Sequence, residues 1–168
     1  TCVKIDEGIE SIGAYSFLTD GSNCYKNLSR VDLPSSVTTI GDYAFTFYAT
    51  ESLTSKLVNI DLSNVNKIGV NAFQNTGIKE IQLLADQVDI GNGAFAQCDE
   101  LLSVNAKKII LSGNGAFGNC TNLTTFICTE LQAVPTSSFS LTKSLKRFQA
   151  PGITSIGKKA FYASGLEK

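Results

Sequence analysis

Apolar positions recur along this chain in blocks with one fixed order. The block Ile153-Thr-Ser-Ile-Gly-Lys-Lys-Ala-Phe161 is written again as Ile9-Glu-Ser-Ile-Gly-Ala-Tyr-Ser-Phe17, Val37-Thr-Thr-Ile-Gly-Asp-Tyr-Ala-Phe45 and Val65-Asn-Lys-Ile-Gly-Val-Asn-Ala-Phe73. Looser copies stand at Ile90-Gly-Asn-Gly-Ala-Phe95, Ser112-Gly-Asn-Gly-Ala-Phe117 and Val134-Pro-Thr-Ser-Ser-Phe139. Anchored on Phe17, Phe45, Phe73, Phe95, Phe117, Phe139 and Phe161, the steps are 28, 28, 22, 22, 22 and 22 residues. A period in the twenties predicts a solenoid, since a single unit cannot bury its apolar side and must stack on its neighbours.

Between the blocks lies a second pattern, Leu-x-x-Val-x-Leu. It reads Leu28-Ser-Arg-Val-Asp-Leu33, Leu57-Val-Asn-Ile-Asp-Leu62, Ile78-Lys-Glu-Ile-Gln-Leu83, Leu101-Leu-Ser-Val-Asn-Ala106, Leu123-Thr-Thr-Phe-Ile-Cys128 and Leu145-Lys-Arg-Phe-Gln-Ala150. Its last three residues alternate apolar, variable, apolar, which predicts a half-buried strand. Stacked, these segments should form one long parallel sheet, one strand per coil, with the variable residue facing solvent. The paired Ile/Val positions ahead of each phenylalanine predict a short extended piece that the following Gly ends in a turn. The Ala-Phe and the small residues after it predict a single helical or 3₁₀ turn, with the rings stacked as an aromatic ladder. The two longer coils carry extra polar residues in 18–27 and 46–56, read as loops on one edge of the coil, either functional or neutral insertions.

A unit of the form Ile-Thr-Ser-Ile-Gly-x-x-Ala-Phe-x-x-Cys-x-x-Leu closely resembles the BspA-type leucine-rich repeat, and the resemblance covers essentially the whole chain. Asn75-Thr-Gly-Ile78 and Ala163-Ser-Gly-Leu166 are similar to the variant unit in which Gly replaces the Cys-containing turn, and Leu33-Pro34 and Ala150-Pro151 match the Pro that often follows the strand. The departures are the long coils, Pro135 in place of Gly, and Ser112 in place of Ile. The resemblance implies a curved, mostly β leucine-rich-repeat solenoid with its parallel strands on the concave face and short turns on the convex side. It implies no catalytic site. It implies a protein at the cell surface or secreted, an adhesion module that binds macromolecules, host matrix or cell-surface proteins among them and glycans as a further class. A structural spacer without its own ligand is the alternative.

Residues 1–168 read as one such solenoid of about seven repeats, a fragment of a longer array that starts inside one unit and ends inside another. A net charge of -1 gives no basic stripe for nucleic acid and no polybasic patch for an anionic membrane. No apolar run reaches the roughly 20 residues of a membrane helix.

The chain has no His, which removes the commonest general base and metal ligand, and no Gly-rich phosphate loop. No cofactor and no metal are expected. Among the five cysteines no Cys-x-x-Cys occurs. Cys98 and Cys120 take equivalent places in neighbouring coils, and parallel Cβ vectors about 4.8 Å apart exceed the roughly 3.5–4.5 Å a disulfide prefers. They read as small buried hydrophobes, as does Cys128 in its strand. Candidate binding residues are the variable strand positions: Arg30, Asp32, Asn59, Asp61, Glu80, Gln82, Asn105, Ile127, Arg147 and Gln149. Asp32 and Asp61 on adjacent coils suit a cation or a partner's basic side chain, or are simply solvated strand residues. Val58, Leu102 and Ile127 are apolar at positions expected to be exposed, which favours a protein-binding surface. As an enzyme, a carbohydrate-active solenoid would need acidic pairs on one face, and Asp32 with Asp61 is the one obvious pair. Sequons stand at Asn27 and Asn122.

Overall fold

The computed structural model describes residues 1–20, 24–48 and 55–167, with Cys24 and Lys26 described by backbone alone. The tips of both long coils, including residues 21–23 and 49–54, and the side chain of Cys24 lie outside the described residues. Each coil pairs a strand from the Leu-x-x-Val-x-Leu pattern with one from the Ile-x-x-Ile-Gly block. In order the strands are β1 (Cys2–Lys4), β2 (Ser11–Ile12), β3 (Arg30–Asp32), β4 (Thr39–Ile40), β5 (Asn59–Ile60), β6 (Lys67–Ile68), β7 (Glu80–Leu83), β8 (Val88–Ile90), β9 (Ser103–Leu111), β10 (Thr125–Glu130), β11 (Ala133–Val134), β12 (Arg147–Gln149) and β13 (Ser155–Ile156). Every pairing between them is parallel.

Two ladders result. In the first, β1, β3 and β5 pair in order, and β7, β9, β10 and β12 form a second run. In the second ladder, β2, β4, β6, β8 and the end of β9 pair continuously, and β11 pairs with β13. Strand β9 is long because it passes from one ladder into the other. The expectation of one unbroken sheet is therefore corrected. Among the described residues no backbone hydrogen bond joins β5 to β7. Those two coils nevertheless touch: β6 pairs with β8, and a Cβ placed on Gly77 would lie 3.0 Å from the Ser55 carbonyl oxygen.

The aromatic ladder is present along the whole array. Neighbouring rings from Phe17 to Phe161 stack with centroids 5.1 to 5.5 Å apart and planes within 11°, close to the spacing of paired strands. Phe73, Phe95, Phe117 and Phe139 are wholly buried, while Phe17 and Phe161 at the ends are half-buried. A second column, Phe126 and Phe148, meets Phe117, Phe139 and Phe161 edge-on, an arrangement favoured by the ring quadrupole.

The turns around each phenylalanine are not helical. The residue two before it is left-handed in every coil, from Tyr15, Tyr43 and Asn71 through Gly93 and Gly115 to Ser137 and Lys159, and a single left-handed residue ends a helix. The described 3₁₀ helix lies instead in the first long coil, at Cys24–Asn27. Alternate backbone amides here donate to the next coil, as Phe45 N–H does to the Ala72 carbonyl at 2.8 Å and Phe95 N–H to Ala116 at 2.9 Å. The recurring Gly has another duty than the expected turn. A Cβ at Gly41 would sit 2.6 Å from the Ala14 nitrogen and one at Gly157 2.6 Å from that of Thr136, so the absence of a side chain lets successive backbones approach. Ser112 proves to be no lesion in the apolar column, because Leu111 pairs with Ile90 and fills it, while Ser112 Oγ donates to the Ile90 carbonyl at 3.0 Å.

Candidate functional site

The outward positions of the first ladder fall into two rows. One aligns Arg30 with Asn59 and, beyond the interruption, Glu80 with Ser103, Thr125 and Arg147. The other aligns Lys4 with Asp32 and, further along, Gln82, Asn105, Ile127 and Gln149. Apolar neighbours on the same strands, Val31, Ile81, Val104 and Phe126, are buried, so the pleat alone turns the candidates outward.

Five candidates come together. A groove of about 810 Å³ lies across the β5/β7 interruption, lined by Arg30, Asp32, Asn59, Asp61 and Glu80, with Lys79 and Leu102 at its far wall. Arg30 Nε donates to Asp32 Oδ1 at 2.5 Å, and the accepted bond holds the guanidinium above its usual pKa. Asp61 Oδ1 accepts the Ser63 backbone N–H at 2.9 Å, which fixes one oxygen and leaves the other to solvent. Glu80 and Lys79 are exposed and enter no ion pair among the described residues. The groove thus offers carboxylate oxygens beside one tethered and one free cation, over a floor of Val31 and Ile60.

The other candidates do not join this groove. Gln82 and Asn105 are exposed side by side in register, while Ile127 and Gln149 face the apolar hollow at the last coil with Phe148 and Phe161. Arg147 donates through Nε and an Nη to Gln149 Oε1 at 3.1 and 2.7 Å, repeating the Arg30–Asp32 geometry with an uncharged acceptor. Ile127 and Val58 are half-buried rather than exposed, because neighbouring strands shield them; Leu102 is exposed at 44%. Sequence reasoning missed the interruption beneath the groove. Its signal was the change in lead from Phe45 to Asn59 against that from Phe73 to Glu80, which marks a coil that cannot pair in step with the next.

Cys98, Cys120 and Cys128 are buried free thiols and Cys2 an exposed one. Burial pushes the Cys98 thiol up to about 11 and raises Cys120 as well, which withholds the reactive thiolate. Cys98 Sγ lies 3.1 Å from the Phe73 carbonyl and Cys120 Sγ 3.1 Å from that of Phe95. Among the described residues no three His, Cys, Asp or Glu side chains converge as metal ligands, and no helix is long and apolar enough to cross a membrane.

A family model of the BspA type leucine rich repeat region matches the chain in 6 copies, over residues 1–110 and 46–167. A leucine-rich repeat protein from Bacteroides ovatus has a similar structure, with TM-score 0.69 and 24% identity over 98% of this chain and 47% of its own. A T. pallidum leucine rich repeat protein superposes with TM-score 0.73 and 25% identity over 93% of this chain and 72% of its own. The chain spans about half the length of the B. ovatus protein. No curated protein matches it.

Proposed function

The chain belongs to the BspA-type leucine-rich repeat family, and on that premise we propose that it is a non-catalytic binding module of a cell-surface or secreted protein, holding partner proteins through the outward face of its first ladder. Leucine-rich repeats generally serve as interaction scaffolds, and the strand register here sets the outward side chains in rows. The observation that carries the reading is the groove at the β5/β7 interruption, where Arg30, Asp32, Asn59, Asp61 and Glu80 converge from three coils beside exposed Leu102. Mixed charge around an apolar contact is the composition of a recognition surface, in which charge sets register and partner choice. Partners are matrix or cell-surface proteins of a host or a neighbouring cell.

The test is surface plasmon resonance of the purified chain against a panel of extracellular-matrix proteins, beside an Asp32→Lys/Asp61→Lys variant with an unchanged circular dichroism spectrum. Saturable binding that the variant loses supports the reading. Binding that survives the charge reversal overturns the assignment to this groove, and no binding at all overturns the reading and leaves the spacer.

A further inference from the structure

A second polar surface, sharing no residue with the groove, lies along the turns that carry the phenylalanines. There a shallow trough of about 530 Å³ crosses four successive coils, from Asn71 and Gln74 to Ser140 and Leu141. Not one charged side chain lines it, although 17% of the chain is charged. Its rims are amides: Asn92 and Asn114 on one side, Gln97 and Asn119 on the other.

The floor is kept low by glycine at positions where the backbone is left-handed. Gly93 has φ 60°, and a Cβ there would strike the Asn71 amide oxygen, which lies across the floor. Gly115 has φ 64°, and a Cβ there would meet nothing within 4 Å, so the trough is open at that coil.

Hydrogen-bonding capacity is left over. Gln74 Nε2 donates to Gln97 Oε1 at 2.9 Å, and Asn92 Oδ1 accepts the Asn114 backbone N–H at 3.0 Å. Among the described residues the side-chain amides of Asn71, Asn114 and Asn119 make no hydrogen bond. Each amide offers two donors and an acceptor, and the coil rise repeats the set about every 4.8 Å. At the head of the trough the column that holds Asn71 continues as Tyr43 and Tyr15, stacked at 5.1 Å, with Tyr15 exposed at 59%. Tyr43 N–H donates to the Val70 carbonyl at 2.8 Å, so the pair is contiguous with the trough.

We propose that this trough is a binding site for a neutral, extended oligosaccharide, whose hydroxyls are met by the amide rims and one of whose sugar rings lies on the Tyr15–Tyr43 pair. A trough lined by amides on three coils and hydroxyls on the fourth, without a charged side chain, matches a ligand rich in hydroxyls and free of charge, and the coil rise is comparable to the length of one sugar residue. Tyr presents an apolar face with a polar tip, which suits a sugar ring. The site is independent of the groove on the first ladder.

The test is a two-dimensional ¹H–¹⁵N spectrum of the chain titrated with cellohexaose and laminarihexaose, two neutral linear glucans, and with a heparin oligosaccharide. A neutral glucan should shift the backbone amides of Gly93, Gly115 and Asn119 and the side-chain amides of Asn71 and Asn114. Affinity should hold as salt rises from about 0.1 M to about 1 M, because no ion pair contributes. Asn114→Ala and Tyr43→Ala should each weaken it about tenfold, the worth of roughly one hydrogen bond or contact, with the rest of the spectrum unmoved. Asp32→Lys/Asp61→Lys should leave it unchanged. The proposal falls if neither glucan shifts these resonances, if heparin binds more tightly than both, or if shifts appear only on the first ladder. Any of those results leaves the protein-binding reading standing.

Discussion

The three coils anchored on Phe17, Phe45 and Phe73 and the four anchored on Phe95 to Phe161 are written in one repeat yet built differently. In the later coils the first ladder is continuous from β7 to β12, and in both sets the phenylalanines flanked on each side are buried while those at the ends are half-buried. In the earlier coils the strands β1, β3 and β5 are short, and Phe17 is half-buried against an edge-on Tyr25. The junction between the two kinds of coil stays zipped by β6 with β8 and by Phe73 on Phe95, while β5 and β7 part. A change in coil length is absorbed between β5 and β7, where a groove then opens.

The largest test of this contrast is Phe95→Ala against Phe17→Ala. The first removes a ring packed on both faces and should cost about 3 to 5 kcal/mol by urea unfolding. The second uncovers a half-exposed end and should cost on the order of 1 to 2 kcal/mol. Equal losses would break the comparison. Next in size is Gly91→Ala, whose Cβ would sit 2.8 Å from the Gly69 carbonyl carbon. Backbone cannot step aside, so about 1 to 3 kcal/mol should be lost. Gly13→Ala meets only the Ser16 hydroxyl at 3.4 Å and should be close to neutral in the same assay.

The smallest effect is at Cys98. Its thiol keeps its proton up to about 11 in the folded chain, against 9.0 for an unburied thiol. Between those values the unfolded chain binds fewer protons, so this group's contribution is whole below 9.0 and is lost as pH rises through that window. Cys98→Thr should be tolerated, since Thr76 and Thr142 hold the equivalent places with hydroxyls donating to the Phe73 and Phe139 carbonyls at 2.9 and 2.8 Å. It should also flatten the alkaline decline in the unfolding midpoint, with Cys120 keeping its own share.

Much of this architecture was legible because the repeat overdetermines it. A phenylalanine in every block could only stack, and the alternation around Val31, Ile81 and Val104 fixed which residues face out. The conformation around Phe45 was not legible, because Tyr43 carries no mark of the left-handed backbone that tertiary hydrogen bonds impose; the mark stood in the same column at Asn71, Gly93 and Gly115. Nor could the phenylalanine register show that Leu111 rather than Ser112 completes its column. Of the candidate face, Arg30, Asp32, Asn59, Asp61 and Glu80 converge, since they flank the interruption. Gln82, Asn105, Arg147 and Gln149 followed the same pleat but continue along an unbroken sheet, where nothing gathers them.

The first ladder is two runs meeting at an open seam beneath the groove, while β6 and β8 pair across the same junction. Native-state amide hydrogen exchange, resolved by residue, tests it most directly. The account predicts that amides of β5 and β7 on the facing edges exchange far faster than those of β9 and β10, while Ile68 and Ile90 in the adjoining ladder stay protected. Protection of the facing β5 and β7 amides equal to that of β9 and β10 would contradict it.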